Sequence, residues 1–462
     1  MKRVYTWFIA AILSGGLLSA CAPQSDSSKP SGSIKVLAPL NNSKGGYSLG
    51  MMELLGISDL QSLTGKFARF FFSPKVVDQK LYGVSPKSRF IKNIEGEYIP
   101  ANEMTQQLVT IYGHIQNLAL LDEELGLAGL LSYPRDVGVA VKVKGSNRNN
   151  NAFYDGKTDS MLFVPFTNQG LPIAVNGGIL AHEHFHSLFY KLVLNTASAQ
   201  VHDRADFLDK TFVEERTMSD RIGMPAEQGV TELSETQAHL FYHMALIRGM
   251  NEGLADFWGW MYTGDTDFIS HSLPIEKSSR SLKSYQKADK LALPTETQIK
   301  NFISVLHARG GKRNMSDLIT GGSYTIGTSF ARMMKTFTDT YATARNLESH
   351  RARKEVAKIV VKILPQMKKD LEQLGDLKFY SPVLFLKSLQ ANITDLNEAE
   401  CGFLAALMTN SARDRKETFT CKYEAGWKIE SVVKNIADTE KEIATASREE
   451  TTIPAIFSDE QK

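Results

Sequence analysis

Asn176-Gly177-Gly178-Ile179-Leu180-Ala181-His182-Glu183-His184-Phe185-His186-Ser187-Leu188-Phe189 is the stretch on which the fold turns. Its apolar residues recur at helical spacing, and Asn176 is a residue type that caps helix N-termini, so a helix running to about Leu194 is predicted. His182 and His186 then stand one turn apart on one face, where two imidazoles can grip one zinc ion at about 2.0–2.1 Å. Glu183, about 100° further round, cannot easily ligate that ion but can reach water bound to it, which makes it the candidate general base. His184 projects to roughly the opposite side and reads as a packed or partly exposed histidine.

Downstream, Ser234 to Tyr262 reads as a long helix with Gly249 as a candidate break. It carries Glu252 and Asp256 one turn apart, so Glu252 can be a third zinc ligand while Asp256 orients an imidazole. Three protein ligands leave one position for water, as a catalytic site requires. Upstream, Asn151–Tyr154 and Ser160–Phe166 read as strands joined by the hairpin signal Asp155-Gly156, preceded by a strand at Val137–Val143. Before these, Leu108, Ile111, Tyr112, Ile115, Leu118 and Leu121 mark a helix from Asn102 to near Gly126. Phe67–Phe72 and Ser88–Ile91 read as short strands of an N-terminal portion.

With both motifs in place the chain resembles the thermolysin-like gluzincin zinc metallopeptidases, over roughly residues 100 to 345. Asn151-Ala152-Phe153-Tyr154-Asp155-Gly156 is similar to the family's edge-strand motif, which implies that Asn151 and Ala152 hold a peptide substrate by strand addition. Ser279-Arg280-Ser281-Leu282 is similar to a segment whose arginine binds a substrate carbonyl, which points to Arg280. Tyr324-Thr325-Ile326-Gly327 resembles the segment that usually supplies a histidine to the oxyanion. Here Tyr324 is either that donor or a core tyrosine, with His307 a lesser substitute. The chain departs from the pattern in the long separation of His186 from Glu252, filled by residues 187–251. His239 and His243 within it are read as packing histidines. Asp265 and Asp267 are too few to define a calcium site.

Around this centre, Lys2 and Arg3, an apolar run from Val4 to Leu18 and Leu18-Ser19-Ala20-Cys21 have the layout of a signal peptide (1–20). The last four residues resemble the lipobox of bacterial lipoproteins, in which Cys21 is acylated. An ordinary cleaved signal is the alternative. Residues 21–33 then form a flexible tether. The resemblance implies export and anchoring to a bacterial membrane, at the outer membrane or cell surface, through that lipid only. Loss of Lys2 and Arg3 takes the formal charge from +2 to 0, which argues against a nucleic-acid partner. Cys401 and Cys421 form an even pair, as a disulfide or as two buried thiols. A basic helix from Arg351 to about Leu364, stopped by Pro365, is expected to pack on the C-terminal lobe.

The expected architecture is α+β. Residues 34–99 form a small strand-containing portion, and 100–264 form a catalytic zincin domain with a small mixed sheet, an edge strand and an insertion at about 187–233. A mainly helical lobe spans 265–430, and 431–462 form a polar tail. The expected function is zinc-dependent endopeptidase. The rivals are a zinc amidase acting on a cell-wall amide and a lipid-anchored binding protein without turnover.

Overall fold

The computed structural model describes residues 32–42, 46–142, 149–194, 235–283, 315–373 and 380–433, with short pieces at 293–295, 297–298 and 301; side chains in the long helices are described from 245 and from 323. Cys21 and the leader, His307, the side chains of His239 and His243, most of the 187–233 insertion and the tail beyond 433 lie outside the described residues. The chain is α+β. It divides into two compact units, Met1–Gln228 with Leu254–Lys283, and Gly229–Gly253 with Ser284–Lys462.

The first unit begins with β1 (Ile34–Asn42) and β2 (Gly46–Leu54), an antiparallel pair in register from Ile34↔Leu54 to Asn42↔Gly46. Period-two alternation decides which face is inside: Val36, Ala38, Met52 and Leu54 are buried, while Lys35, Met51 and Glu53 are exposed. After a small ladder of β3 (Ile57–Asp59) and β4 (Thr64–Gly65) come β5 (Ala68–Val77), β6 (Lys80–Val84), β7 (Phe90–Lys92) and β8 (Tyr98–Pro100). The first sheet has the order β2-β1-β8-β7.

Helix α1 (Glu103–Glu124) starts where the Asn102 side chain accepts from the Thr105 amide at 2.8 Å. Its Leu108, Ile111, Tyr112, Ile115 and Leu118 are completely buried, and burying a leucine or isoleucine contributes roughly 2 kcal/mol. Next come β9 (Arg135–Val139), β10 (Ala152–Asp155) and β11 (Ser160–Phe163), which complete a mixed sheet of order β10-β11-β9-β5-β6. Because β5 and β6 belong to this sheet, residues 34–99 and the following segment share one core. The division expected near residue 100 is therefore absent.

Three expectations shift in detail. Strand β9 opens earlier because Arg135 to Val139 pair with Ala68 to Phe72, and it ends before Ala140, which takes a left-handed φ of 51°. Strand β11 stops short of Pro165, which has no N–H to give a ladder. The β10–β11 connection is a loop over 156–159, not a two-residue turn, since Asp155 pairs with Ser160. The Asp155 carboxylate shapes it by accepting from the Lys157 amide at 3.2 Å and the Thr158 hydroxyl at 2.7 Å.

Helix α2 (Gly177–Phe189) is extended by a π-helical turn at Tyr190–Leu194. Helix α3 (Glu235–Thr263) is continuous, so Gly249 is not a break, and the boundary between units falls within it at Gly253/Leu254. Short helices α4 (Phe268–Ser272) and α5 (Lys277–Arg280) end the first unit.

His184 of α2 is buried and places Nε2 3.0 and 3.1 Å from the two Asp122 oxygens of α1. Asp122→Ala is expected to cost about 2 kcal/mol, as for leaving a buried hydrogen-bonding group without its partner, and urea unfolding measures this. His114 of α1 is also buried, with Nδ1 2.8 Å from the Tyr262 hydroxyl, and burial pushes its pKa down to about 4. The folded chain therefore holds it neutral, whereas the unfolded chain binds a proton below about pH 6.5. Stability is expected to fall by about 3 kcal/mol as pH drops from about 6.5 towards 4. This appears as a difference in urea midpoints between the parent and His114→Gln.

The second unit contains the N-terminal part of α3 with α6 (Met315–Ala344), α7 (Ser349–Gln373), α8 (Pro382–Ala391) and α9 (Glu398–Ser411). Helix α7 passes through Pro365 instead of stopping there. Ile359, Val360, Ile363 and Leu364 before the proline and Met367 after it are all buried, which outweighs the roughly 3 kcal/mol that an interior proline costs. The mainly helical ending also holds an antiparallel hairpin of β12 (Glu417–Tyr423) and β13 (Trp427–Val433), which the sequence reading did not place. A Cys401–Cys421 disulfide, with Cα atoms 5.5 Å apart, joins it to α9.

Candidate metal centre

The zero-exposure N-cap Asn176 fixes where α2 begins: its Oδ1 accepts from the amides of Gly178 and Ile179 and from the Tyr47 hydroxyl at 3.0–3.2 Å. Its Nδ2 donates to the Phe268 carbonyl at 2.7 Å and to the Ser272 hydroxyl at 2.9 Å, so both ends of the amide are held. One turn in, His182 and His186 direct their Nε2 atoms to within 3.0 Å of each other. Two nitrogens bound to one ion at tetrahedral angles would stand roughly 3.3 Å apart.

A hydrogen bond between two imidazoles would explain that pair alone, but a third donor joins it. Ligand atoms of His182, His186 and Glu252 all lie within 4.8 Å of one another, and all three residues are buried. This buried triad could hold a metal ion. It is the one group of three or more such side chains among the described residues; Asp265 and Asp267 are not part of another. Asp265 instead binds His271 Nε2 at 2.6 Å, and Asp267 binds Lys283 and Ser281.

One turn beyond Glu252, Asp256 sets Oδ1 2.9 Å from His182 Nδ1, so the two ring nitrogens of His182 face a carboxylate on one side and the triad on the other. Burial would raise the Asp256 pKa, but Arg280 first and His182 second overcome it and hold the carboxyl below its usual range. Arg280 places Nη2 2.6 Å and Nε 3.2 Å from the Asp256 oxygens. The residue expected to face substrate thus directs two of its donors at the group behind His182.

Glu183 is buried, and its Oε2 accepts from the Tyr154 backbone N–H at 2.9 Å. Successive residues of an antiparallel strand turn their peptide groups alternately toward and away from the partner. The Asn151 carbonyl accepts from Val164 at 2.9 Å, which leaves Ala152 and Tyr154 facing the outer edge of the sheet. Ala152 therefore offers main-chain groups at that edge, while Asn151 can offer its side chain only.

On the second unit's side of α3, Arg248 is 3% exposed and lies within electrostatic reach of Glu252 and Tyr324. Burial pulls its pKa down and the two partners oppose this. Tyr324 is 37% exposed, which rules out the core-tyrosine alternative. Sequence reasoning missed Arg248, and also Asp159, Arg135 and Lys191. The visible signals were an arginine at the head of an apolar strand and one inside an apolar helix.

No protein-family model matches the chain, and no curated protein matches its sequence.

Proposed function

We propose that the protein is a zinc-dependent endopeptidase of the gluzincin type with a zincin fold, exported and tethered to a bacterial membrane by a lipid on Cys21. The observation that carries this reading is the convergence of His182, His186 and Glu252 beside a carboxylate, Glu183, that is not one of the three. Two imidazoles and one carboxylate are a donor set suited to zinc, and three protein ligands leave room for substrate chemistry. When bound there, zinc would polarise the scissile carbonyl and acidify a water.

The chain's own residues supply the rest. Glu183 takes the water proton and passes it to the departing amine, and the Tyr154 amide holds one of its oxygens so that the other can face the reaction. Asp256 orients His182 from behind, with Arg280 keeping it ionised. Ala152 pairs with the substrate main chain, the Asn151 side chain assists, and Tyr324 donates to the developing oxyanion.

The test is metal analysis of the purified chain joined to casein and peptide hydrolysis with and without chelator. One zinc per chain is expected, together with hydrolysis that chelator abolishes and added zinc restores. A zinc-loaded protein that leaves casein and peptides intact overturns the proposal, and cleavage of peptidoglycan fragments instead would reassign it as an amidase.

A further inference from the structure

Asp159 closes the loop between β10 and β11, and groups from three elements converge on its carboxylate. The Tyr154 hydroxyl donates to Oδ1 at 2.9 Å, Arg135 Nη2 lies 2.9 Å from the same oxygen, and Lys191 Nζ lies 3.0 Å from Oδ2. The Arg135 side chain is 1% exposed, and its guanidinium carbon stands 5.9 Å from the centre of the Tyr154 ring. Tyr190 meets the same ring at an angle of 62°, with 6.0 Å between centres.

Closing the hairpin does not require this cluster, because the β10–β11 ladder and the Asp155 turn already do so. Burying an arginine is costly unless a partner compensates it. Burial would raise the Asp159 pKa, yet Arg135, then Lys191 and Tyr154, outweigh it and hold the carboxylate ionised. Burial, seconded by Asp159, pushes the Tyr154 hydroxyl far up, so it remains a donor.

What distinguishes Tyr154 is that its hydroxyl and its amide serve different partners, Asp159 at one end and Glu183 at the other. Lys191 lies in the turn that extends α2, the helix carrying Glu183, so the cluster ties the edge hairpin to that helix. We propose that Asp159 is a positioning residue for Glu183: it braces Tyr154 so that the Tyr154 amide holds the carboxylate in one orientation. The role in turnover rests on the metallopeptidase reading; the bracing itself does not.

The experiment compares the full chain with Asp159→Asn, Tyr154→Phe and Lys191→Gln, by amide hydrogen exchange at Tyr154, metal content, and kcat and KM on one peptide. Asp159→Asn and Tyr154→Phe are expected to speed Tyr154 exchange at least about tenfold and lower kcat about tenfold, with KM within about twofold and metal content unchanged. Lys191→Gln, which spares the buried arginine, is expected to give the same pattern at about threefold and keeps the test alive should Asp159→Asn not fold. Unchanged exchange at Tyr154 in the folded variants overturns the bracing, as does a kcat loss that merely follows metal loss. If the parent chain cleaves no peptide, the enzymatic reading fails, while the exchange data still decide whether Asp159 braces Tyr154.

Discussion

Glu183→Gln is expected to retain one zinc per chain while kcat falls by about a thousandfold, within the range ascribed to a positioned general base. Glutamine is nearly isosteric, and its carbonyl oxygen can still accept the Tyr154 amide that Glu183 Oε2 accepts at 2.9 Å. Proton uptake is what it lacks. Because His182, His186 and Glu252 are untouched, metal content separates loss of chemistry from loss of the site. Substantial hydrolysis by the purified variant would remove Glu183 from the role of base.

Gly253→Val is expected to weaken metal binding by about 100-fold, comparable to the largest losses from displacing groups that support ligands. Any side chain at Gly253 would run into the Gly327 carbonyl of α6, and a Cβ at Gly327 would come within 2.9 Å of the Gly253 nitrogen and 3.0 Å of the Glu252 Cβ. The two helices thus meet backbone to backbone beside Glu252. Valine must push them apart, and overpacking of this kind also costs about 1–3 kcal/mol. Metal–ligand distances tolerate shifts of only about 0.2 Å, so a displaced Glu252 cannot compensate. Gly402→Ala on α9, where an added Cβ meets nothing within 4 Å, serves as the control and should bind metal normally. A folded Gly253→Val protein with full affinity would show that this helix contact does not set the position of Glu252.

The residues that come together were legible because helical periodicity converts spacing into geometry. His182 and His186, and likewise Glu252 and Asp256, sit four apart on predicted helices, and the observed contacts follow from that. Asn176 was readable as a cap for the same local reason. The groups that escaped depend on strand register and on chain segments distant in sequence. Nothing local tells that Arg135, Asp159 and Lys191 meet, or that Arg280 turns to Asp256. Pro365 was misjudged because tertiary packing overrode a local rule. The β12–β13 hairpin was hidden by its polar, half-exposed composition, which alternation in hydrophobicity does not mark.

The edge strand β10 has a consequence outside the proposed chemistry. A sheet margin with unsatisfied peptide groups invites a neighbouring molecule to add its own strand and begin a stack. Here only Ala152 and Tyr154 turn outward, and the Tyr154 amide is already committed to Glu183. The β10 margin therefore offers a second copy only the Ala152 peptide groups and the Tyr154 carbonyl, too short a run to pair another strand along its length.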